Sequence, residues 1–350
     1  MRCSRLWRSC SLTACLCACG ATEKGVRPGG SGEPFAAPAA PGASGAGGKQ
    51  GGSEVTDGMA DPGRVARPTL ENGRYVFRMD DLEFEVNPAL GGRITRFSLA
   101  GTNILTGPEV VARGQGSLPN MYGSTFWTSP QSVWSWPPET ALDSDPLPST
   151  LDGDVLSLVS QAGATTGYGV QKRFAMDAVR GRVLIEYVLE NHSGTQAAAP
   201  WEVSRVPKEG LVFFAATSPA SAASTLESRM IDGIAWIDVQ QAPAADSKLF
   251  QDGSEGWLAY AYRDLVFIKL FDDVAPVDQA TGEAEIEVFV NGSFDYVEVE
   301  QQGPYSLLPV GGSSSWRVAW LLRRKPEGIA VTLGNAGLAA WVRQQVAAAR

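Results

Sequence analysis

The sequence predicts an all-β protein, an antiparallel β-sandwich with a short C-terminal helix. Two observations carry this. From Tyr75 onward, short segments of alternating apolar and polar residues are punctuated by Gly, Pro, Asn and Asp, the pattern of sheets buried on one face. Few helical patterns intervene, so helical crossovers cannot join the strands into a parallel sheet. In order, strands are expected over 82–86, 93–99, 155–159, 170–176, 183–189, 211–214, 257–262, 265–271, 285–290, 296–300 and 316–322. The one good helix candidate is 336–349, where Leu338, Trp341, Val342 and Val346 fall near one face.

The first part of the 350-residue chain reads differently. Arg2, Arg5 and Arg8 precede a short apolar stretch, 11–18, too short to span a bilayer, which is the pattern of a signal peptide. Leu16-Cys17-Ala18-Cys19 resembles the bacterial lipobox, and this resemblance implies lipidation of Cys19 and cleavage before it. Residues 20–68 hold little beyond Gly, Ala, Pro, Ser and scattered charges, too little apolar surface to offset the entropy of ordering. The expected division is therefore a signal peptide over 1–18, a lipidated cysteine and flexible linker over 19–68, a β-sandwich over 69–325 and a helical tail over 326–350. This is an exported protein of the bacterial cell envelope, held at a membrane through its N-terminal lipid only.

The formal net charge is −9, and loss of the leader arginines makes the mature chain more negative still. That excludes nucleic acid as a partner and favours a self-repelling, monomeric protein. All five cysteines lie within the first nineteen residues, so the folded part has no disulfide and no thiolate nucleophile. There are no His pairs, and the acidic clusters, Asp80-Asp81, Asp143 with Asp145, and Asp272-Asp273, lack calcium-loop spacing. No metal and no cofactor is expected.

Three stretches carry candidate chemistry. The first runs from Asn120 to Pro138 and places Trp127, Trp134 and Trp136 among turn-forming and amide residues such as Gln131, a mixture that no strand or helix period explains. Flat aromatic faces beside amides suit a pyranose, whose C–H face packs on the ring while amides meet its hydroxyls. Buried packing of the same tryptophans is the competing reading. In the second, Trp201, Glu202 and Arg205 combine a stacking face, a carboxylate and a cation over a short span. His192, the sole histidine, stands in an Asn-His-Ser-Gly turn and reads as solvent-facing. In the third, Glu298 and Glu300 are two apart in a strand and share a face, where mutual repulsion would raise one pKa if that face lines a pocket.

The segment 87–97, Asn-Pro-Ala-Leu-Gly-Gly-Arg-Ile-Thr-Arg-Phe, resembles the opening of the galactose mutarotase-like domains, which form a large β-supersandwich. The aromatic stretch around 123–138 looks like one uncharacterised bacterial branch of that superfamily. Glu298-Val299-Glu300, Pro304, Leu308-Pro309 and 316–322 are similar to its end. The resemblance implies a late-strand glutamate acting as base at an anomeric hydroxyl, a role that falls to Glu300, or to Glu298 two residues earlier. The family's mid-chain histidine does not carry over, since Trp201 and Glu202 stand near its place and His192 comes too early. Ring opening needs a proton donor as well as a base.

The reading that follows is a carbohydrate-binding surface lipoprotein. Its binding residues would be Arg93, Asn120, Trp127, Gln131, Trp134, Trp136, Trp201 and Arg205, with Glu300, Glu298 and Glu202 as candidate acids. Two alternatives stand beside it: an aldose or sugar-phosphate 1-epimerase with Glu300 as base, and a structural envelope lipoprotein whose tryptophans only pack.

Overall fold

The computed structural model describes residues 66–112 and 121–350. The expected signal peptide, Cys19, nearly all of the linker, and Asn120 lie outside the described residues.

Two large antiparallel sheets face each other across one apolar core, as the alternating pattern requires. The first is ordered Thr69–Glu71, Arg74–Met79, Leu82–Asn87, Arg93–Leu99, Ser124–Ser129, Gln196–Pro207, Tyr296–Gln302, Ile286–Val290, Ser247–Gln251. The second runs Arg229–Ile231, Ile234–Asp238, Leu211–Ala215, Trp257–Tyr262, Leu265–Leu270, Ser313–Arg324, Arg182–Asn191, Tyr168–Asp177, Val155–Val159, Ser149–Asp152. Aromatic side chains interlock between them: Phe84 of the first sheet meets Phe174 of the second at 5.9 Å between centroids, and Phe97 meets Phe267 at 5.6 Å. Such pairs add directional contact to burial of area. The fold class expected from the sequence is the one observed.

Two segments correct the sequence reading. Ser124–Ser129, within the aromatic stretch that showed no period, is a strand in which every residue is buried. Its buried positions take Ser and Thr as well as Phe and Trp, so it shows neither alternation nor the continuous apolar run of a fully covered strand. Gln196–Pro207 is a twelve-residue strand buried on both faces from Ala198 to Val206, and it was hidden for the same reason.

The helix Ala336–Ala349 occupies the expected residues. Asn335 caps it by accepting from the backbone N–H groups of Gly337 and Leu338. Leu338, Val342 and Val346 sink into the same core as the sheets, with Trp341 packed at its edge, so the tail is part of the sandwich rather than an appendage. Among the described residues, no helix is long and apolar enough to cross a membrane.

The turn Asn87-Pro88-Ala89-Leu90-Gly91-Gly92 joins two first-sheet strands and docks against the short helix Thr140–Asp143. Gly91 has φ +61°, and a Cβ there would lie 2.1 Å from the Asp143 carbonyl oxygen. Only glycine tolerates both the left-handed backbone and that approach. The Lys172 ammonium closes the junction from the second sheet, donating to the carbonyls of Gly91 at 2.6 Å and Leu142 at 3.3 Å.

Candidate functional site

The outer face of the first sheet, turned away from the core, is where distant parts of the chain meet. Strand register arranges its side chains in rows. One row runs Lys248, Phe289, Glu298, Arg205, and the next runs Phe250, Glu287, Glu300, Val203, Thr125. A third holds Gln302, Trp201 and Trp127. Because side chains alternate along a strand, Trp201, Val203 and Arg205 share this face while Glu202 and Ser204 point the other way.

Above these rows lies a cavity of about 310 Å³. Met121, Trp127, Gln131, Trp136 and Trp201 line it on one side, and Asp246, Lys248, Phe289, Asn291, Phe294, Tyr296 and Glu298 line the remainder. Trp127 stands edge-on to Trp136, Trp134 and Trp201, with centroids 5.8, 5.9 and 5.4 Å away. Trp127 and Trp201 are buried, whereas Trp136 is 43% exposed at the rim.

Beneath the rings lies a layer of buried charge. Arg205 lies under Trp127 and Tyr296, its guanidinium carbon 5.4 and 5.7 Å from their centroids, and contacts Glu298 at 2.7 Å, out of line for a hydrogen bond. Lys248 lies 4.8 Å from the Trp201 ring centre and reaches Glu287 at 2.5 Å and Glu300 at 3.5 Å. The Trp201 indole N–H donates to Glu300 Oε2 at 2.8 Å. Burial pushes the Glu300 carboxyl up to about 7, with Lys248 opposing and the Glu298 carboxylate adding to the rise. Burial likewise drives Glu287 well above the carboxylate range. Burial works against the charge on Lys248, but Glu300 and Glu287 more than offset it and hold the ammonium above its usual value.

Buried polar atoms normally have partners. Among the described residues, thirteen buried side-chain atoms lack an aligned one, and eight of these belong to this face: Ser129, three nitrogens of Arg205, and one oxygen each of Glu287, Glu298, Glu300 and Gln302. Of these, Glu287 Oε2 lies 2.5 Å from the Lys248 ammonium and Glu298 Oε1 lies 2.7 Å from Arg205, so their charges are paired by contact even where the hydrogen-bond alignment fails.

The structure sorts the residues expected from sequence. Trp127, Gln131, Trp136, Trp201 and Glu298 come together at the cavity, with Arg205 and Glu300 directly beneath it. Trp134 stands behind Trp127, its indole N–H donating to the Thr128 carbonyl at 2.8 Å. Glu202 does not reach the site. It is buried between the sheets, where it accepts from Tyr187 Oη at 2.6 Å, Gln301 Nε2 at 2.6 Å and Trp320 Nε1 at 2.9 Å, and pairs with Lys269 at 3.1 Å. Neighbours in a strand face opposite ways, so Trp201 and Glu202 could never both have lined one pocket.

Arg93 also lies elsewhere, fully buried and held by Asp143 Oδ1 at 2.9 Å and the Tyr122 carbonyl at 3.0 Å. The Asp143 carboxylate additionally accepts from Thr125 Oγ1 at 3.0 Å and Trp127 Nε1 at 2.9 Å, so Arg93 acts on the site only through Asp143. Burial alone would raise the Asp143 carboxyl, but Arg93 and the Trp127 N–H hold it below the ordinary aspartate value. His192 is in an exposed turn, 3.3 Å from Glu190.

Sequence reasoning missed Lys248, Asp246, Asn291 and the rings Phe289, Phe294 and Tyr296. In Ser247–Gln251, Lys248 and Phe250 face one side and Ser247, Leu249 and Gln251 the other, but the sequence Ser-Lys-Leu-Phe-Gln does not alternate in polarity, so nothing in it signalled the position of Lys248.

No protein-family profile matches the chain, and no curated protein is significantly similar to it. Solved structures do match. The Slr1438 protein from Synechocystis sp. PCC 6803 is 15% identical over 76% of this chain and 100% of that one, with a TM-score of 0.51. A TPR-domain containing protein from Parabacteroides distasonis is 14% identical over 72% of this chain and 47% of its own, also at 0.51. A galactose mutarotase-like protein from Clostridium acetobutylicum is 10% identical over 72% and 95% of the two chains, at 0.48. At such identities the likeness is one of fold, and the fold is the large antiparallel β-supersandwich described above.

Proposed function

We propose that this chain is a carbohydrate-recognising protein of the galactose mutarotase-like fold, from a bacterial branch of that superfamily. In this reading it is a monomer tethered to the cell envelope by a lipid on Cys19, and the cavity of the first sheet is its sugar site. The observation that carries the proposal is convergence: Trp127, Gln131 and Trp136 from early in the chain line the same hollow as Trp201, Glu298 and Tyr296 from late in it. The chemistry suits a pyranose. Aromatic faces pack on its C–H surface, Gln131 offers an amide, and Glu298 and Asp246 accept from hydroxyls. The volume is at the lower end of the ~300–1,000 Å³ usual for small-molecule sites. At its floor Glu298 is paired with the buried Arg205 guanidinium at 2.7 Å.

Calorimetry against neutral monosaccharides and envelope oligosaccharides tests this. Binding that weakens at least tenfold in Glu298→Gln is expected, and absence of binding to every sugar would overturn the proposal.

One observation favours an enzymatic version. A carboxyl pushed up to about 7, as Glu300 is, suits proton transfer at neutral pH, which is the role of base in an aldose 1-epimerase. Against it, Glu300 lies below Trp201 and only Glu298 lines the cavity. Exchange NMR of anomer interconversion decides: a rate lost in Glu300→Gln supports this version. The sugar-phosphate form has less support, since Lys248 is already engaged by two carboxylates and Asp246 and Glu298 would repel a phosphate. The purely structural reading is weakened by the open cavity and by Trp136 exposed at its edge.

A further inference from the structure

The cavity is lined by side chains from both ends of one strand. Its lining reaches from Trp201, which pairs with Gln302, to Tyr296, at the other end of the same strand. Those two rows are six residues apart along the strand, but their rings lean together over Arg205, whose guanidinium carbon is 5.4 Å from the Trp127 centroid and 5.7 Å from that of Tyr296, and Trp136 and Phe294 stand outside this inner pair. Each end of this trough carries an aromatic ring on a connecting loop. At one end are the amide of Gln131 and the ring of Trp136, and at the other the ring of Phe294, stacked on Tyr296 with centroids 6.1 Å apart in a loop that Asn291 pins by donating to Tyr296 Oη at 3.0 Å and accepting from the Ser293 and Phe294 N–H groups. Both terminal rings are at least partly exposed, unlike Trp127 and Trp201 between the strands.

The charged groups along the trough leave little net field. Glu298 is matched by Arg205, Lys248 faces Glu300 and Glu287, and Asp246 at the rim accepts from the Gly292 N–H at 2.7 Å near Lys208, whose ammonium donates to the Asn291 carbonyl at 2.9 Å. Such a surface gives no purchase to a polyanion.

We infer that the site takes a neutral oligosaccharide lying along the strand Tyr296–Gln302, with one unit over the central carboxylates and further units stacked on Trp136 and Phe294. This rests on the sugar reading above and adds to it the length and charge class of the ligand. Neither terminal ring is needed to hold one pyranose at the centre. Together they serve a chain.

The test is calorimetry on the full chain with glucose, galactose and N-acetylglucosamine, then with their neutral β-1,4- and α-1,4-linked disaccharides and tetrasaccharides, and with a tetragalacturonate as the charged counterpart. The expected result is at least a tenfold gain from monosaccharide to tetrasaccharide in one neutral series and no binding of the uronate. Trp136→Ala and Phe294→Ala should each weaken tetrasaccharide binding at least fivefold more than monosaccharide binding, with near-UV circular dichroism confirming that each variant folds. Equal affinity for one unit and four, equal losses for both in the two variants, or tight binding of the uronate would overturn the trough while leaving a sugar site. Failure of every sugar to bind would overturn the sugar reading itself.

Discussion

The Trp201 indole N–H donates to Glu300 Oε2 at 2.8 Å, joining a ring of the cavity wall to a carboxyl that has no contact with bulk water. The same ring carries the Lys248 ammonium against its face, so one side chain orders both partners of the Lys248–Glu300 pair.

Trp201→Phe keeps a ring and deletes the donor. A buried carboxyl oxygen left unpaired costs ~1–3 kcal/mol, so the urea midpoint should fall accordingly. The Glu300 carboxyl should also rise further, because the lost N–H favoured its charged form. Carbon-13 NMR titration of the glutamate side chains checks this, and an unmoved Glu300 would remove the Trp201 bond from the account.

Asp143 holds Arg93, Thr125 and Trp127 at once. Asp143→Ala leaves the Arg93 guanidinium buried without its counter-charge, and breaking such a pair costs ~3–5 kcal/mol. Chemical denaturation should show that loss, and near-UV circular dichroism should change as the Trp127 ring is released. A loss below ~1 kcal/mol would mean that Asp143 anchors nothing.

Burial holds the Lys172 ammonium down to about 7, far below an ordinary lysine. From there up to about 10.4 the unfolded chain binds a proton that the folded chain does not, so this group adds stability as pH rises and withdraws it as pH falls toward 7. Burial pushes Glu285 up to about 8, and it acts in the opposite sense, its contribution being lost as pH rises through that value. Comparison with Lys172→Met isolates the lysine. The stability of the wild type relative to the variant should increase between pH 7 and 10, by at most ~1.4 kcal/mol per pH unit. A difference independent of pH would show that Lys172 stays charged in the fold.

Cys19→Ser should abolish incorporation of labelled palmitate and release the chain from the membrane fraction, since a thiol is the group that accepts the diacylglycerol. A variant still labelled and still sedimenting with membranes would place the anchor elsewhere.

Legibility in the sequence followed apolar pattern: Leu211–Ala215 and Leu265–Leu270, buried on both faces, were still readable as apolar runs. Strands with one wet or partly wet face, such as Leu82–Asn87 and Val155–Val159, announced themselves by alternation. So did the helix Ala336–Ala349, through its apolar stripe. Ser124–Ser129 and Gln196–Pro207, which mix polar with apolar residues at their buried positions, did not, and these two strands build the floor of the site. The sharing of a face by Glu298 and Glu300 could be read from spacing alone. The exclusion of Glu202 from that face could have been read the same way had its strand been recognised. The roles of Asp143 and Lys248 depend on pairings across tens of residues, which a single sequence does not display.

Trp127 and Trp201 stand on adjacent strands whose ladders are filled on either side, whereas Gln131, Trp136 and Phe294 project from the connections at the ends. Preference for one glycan over another can therefore drift by exchange of a few rim residues, without the folding machinery noticing. Changes to the two inner tryptophans would disturb recognition and assembly together, so diversification within such a lineage should gather at the mouth and spare the base.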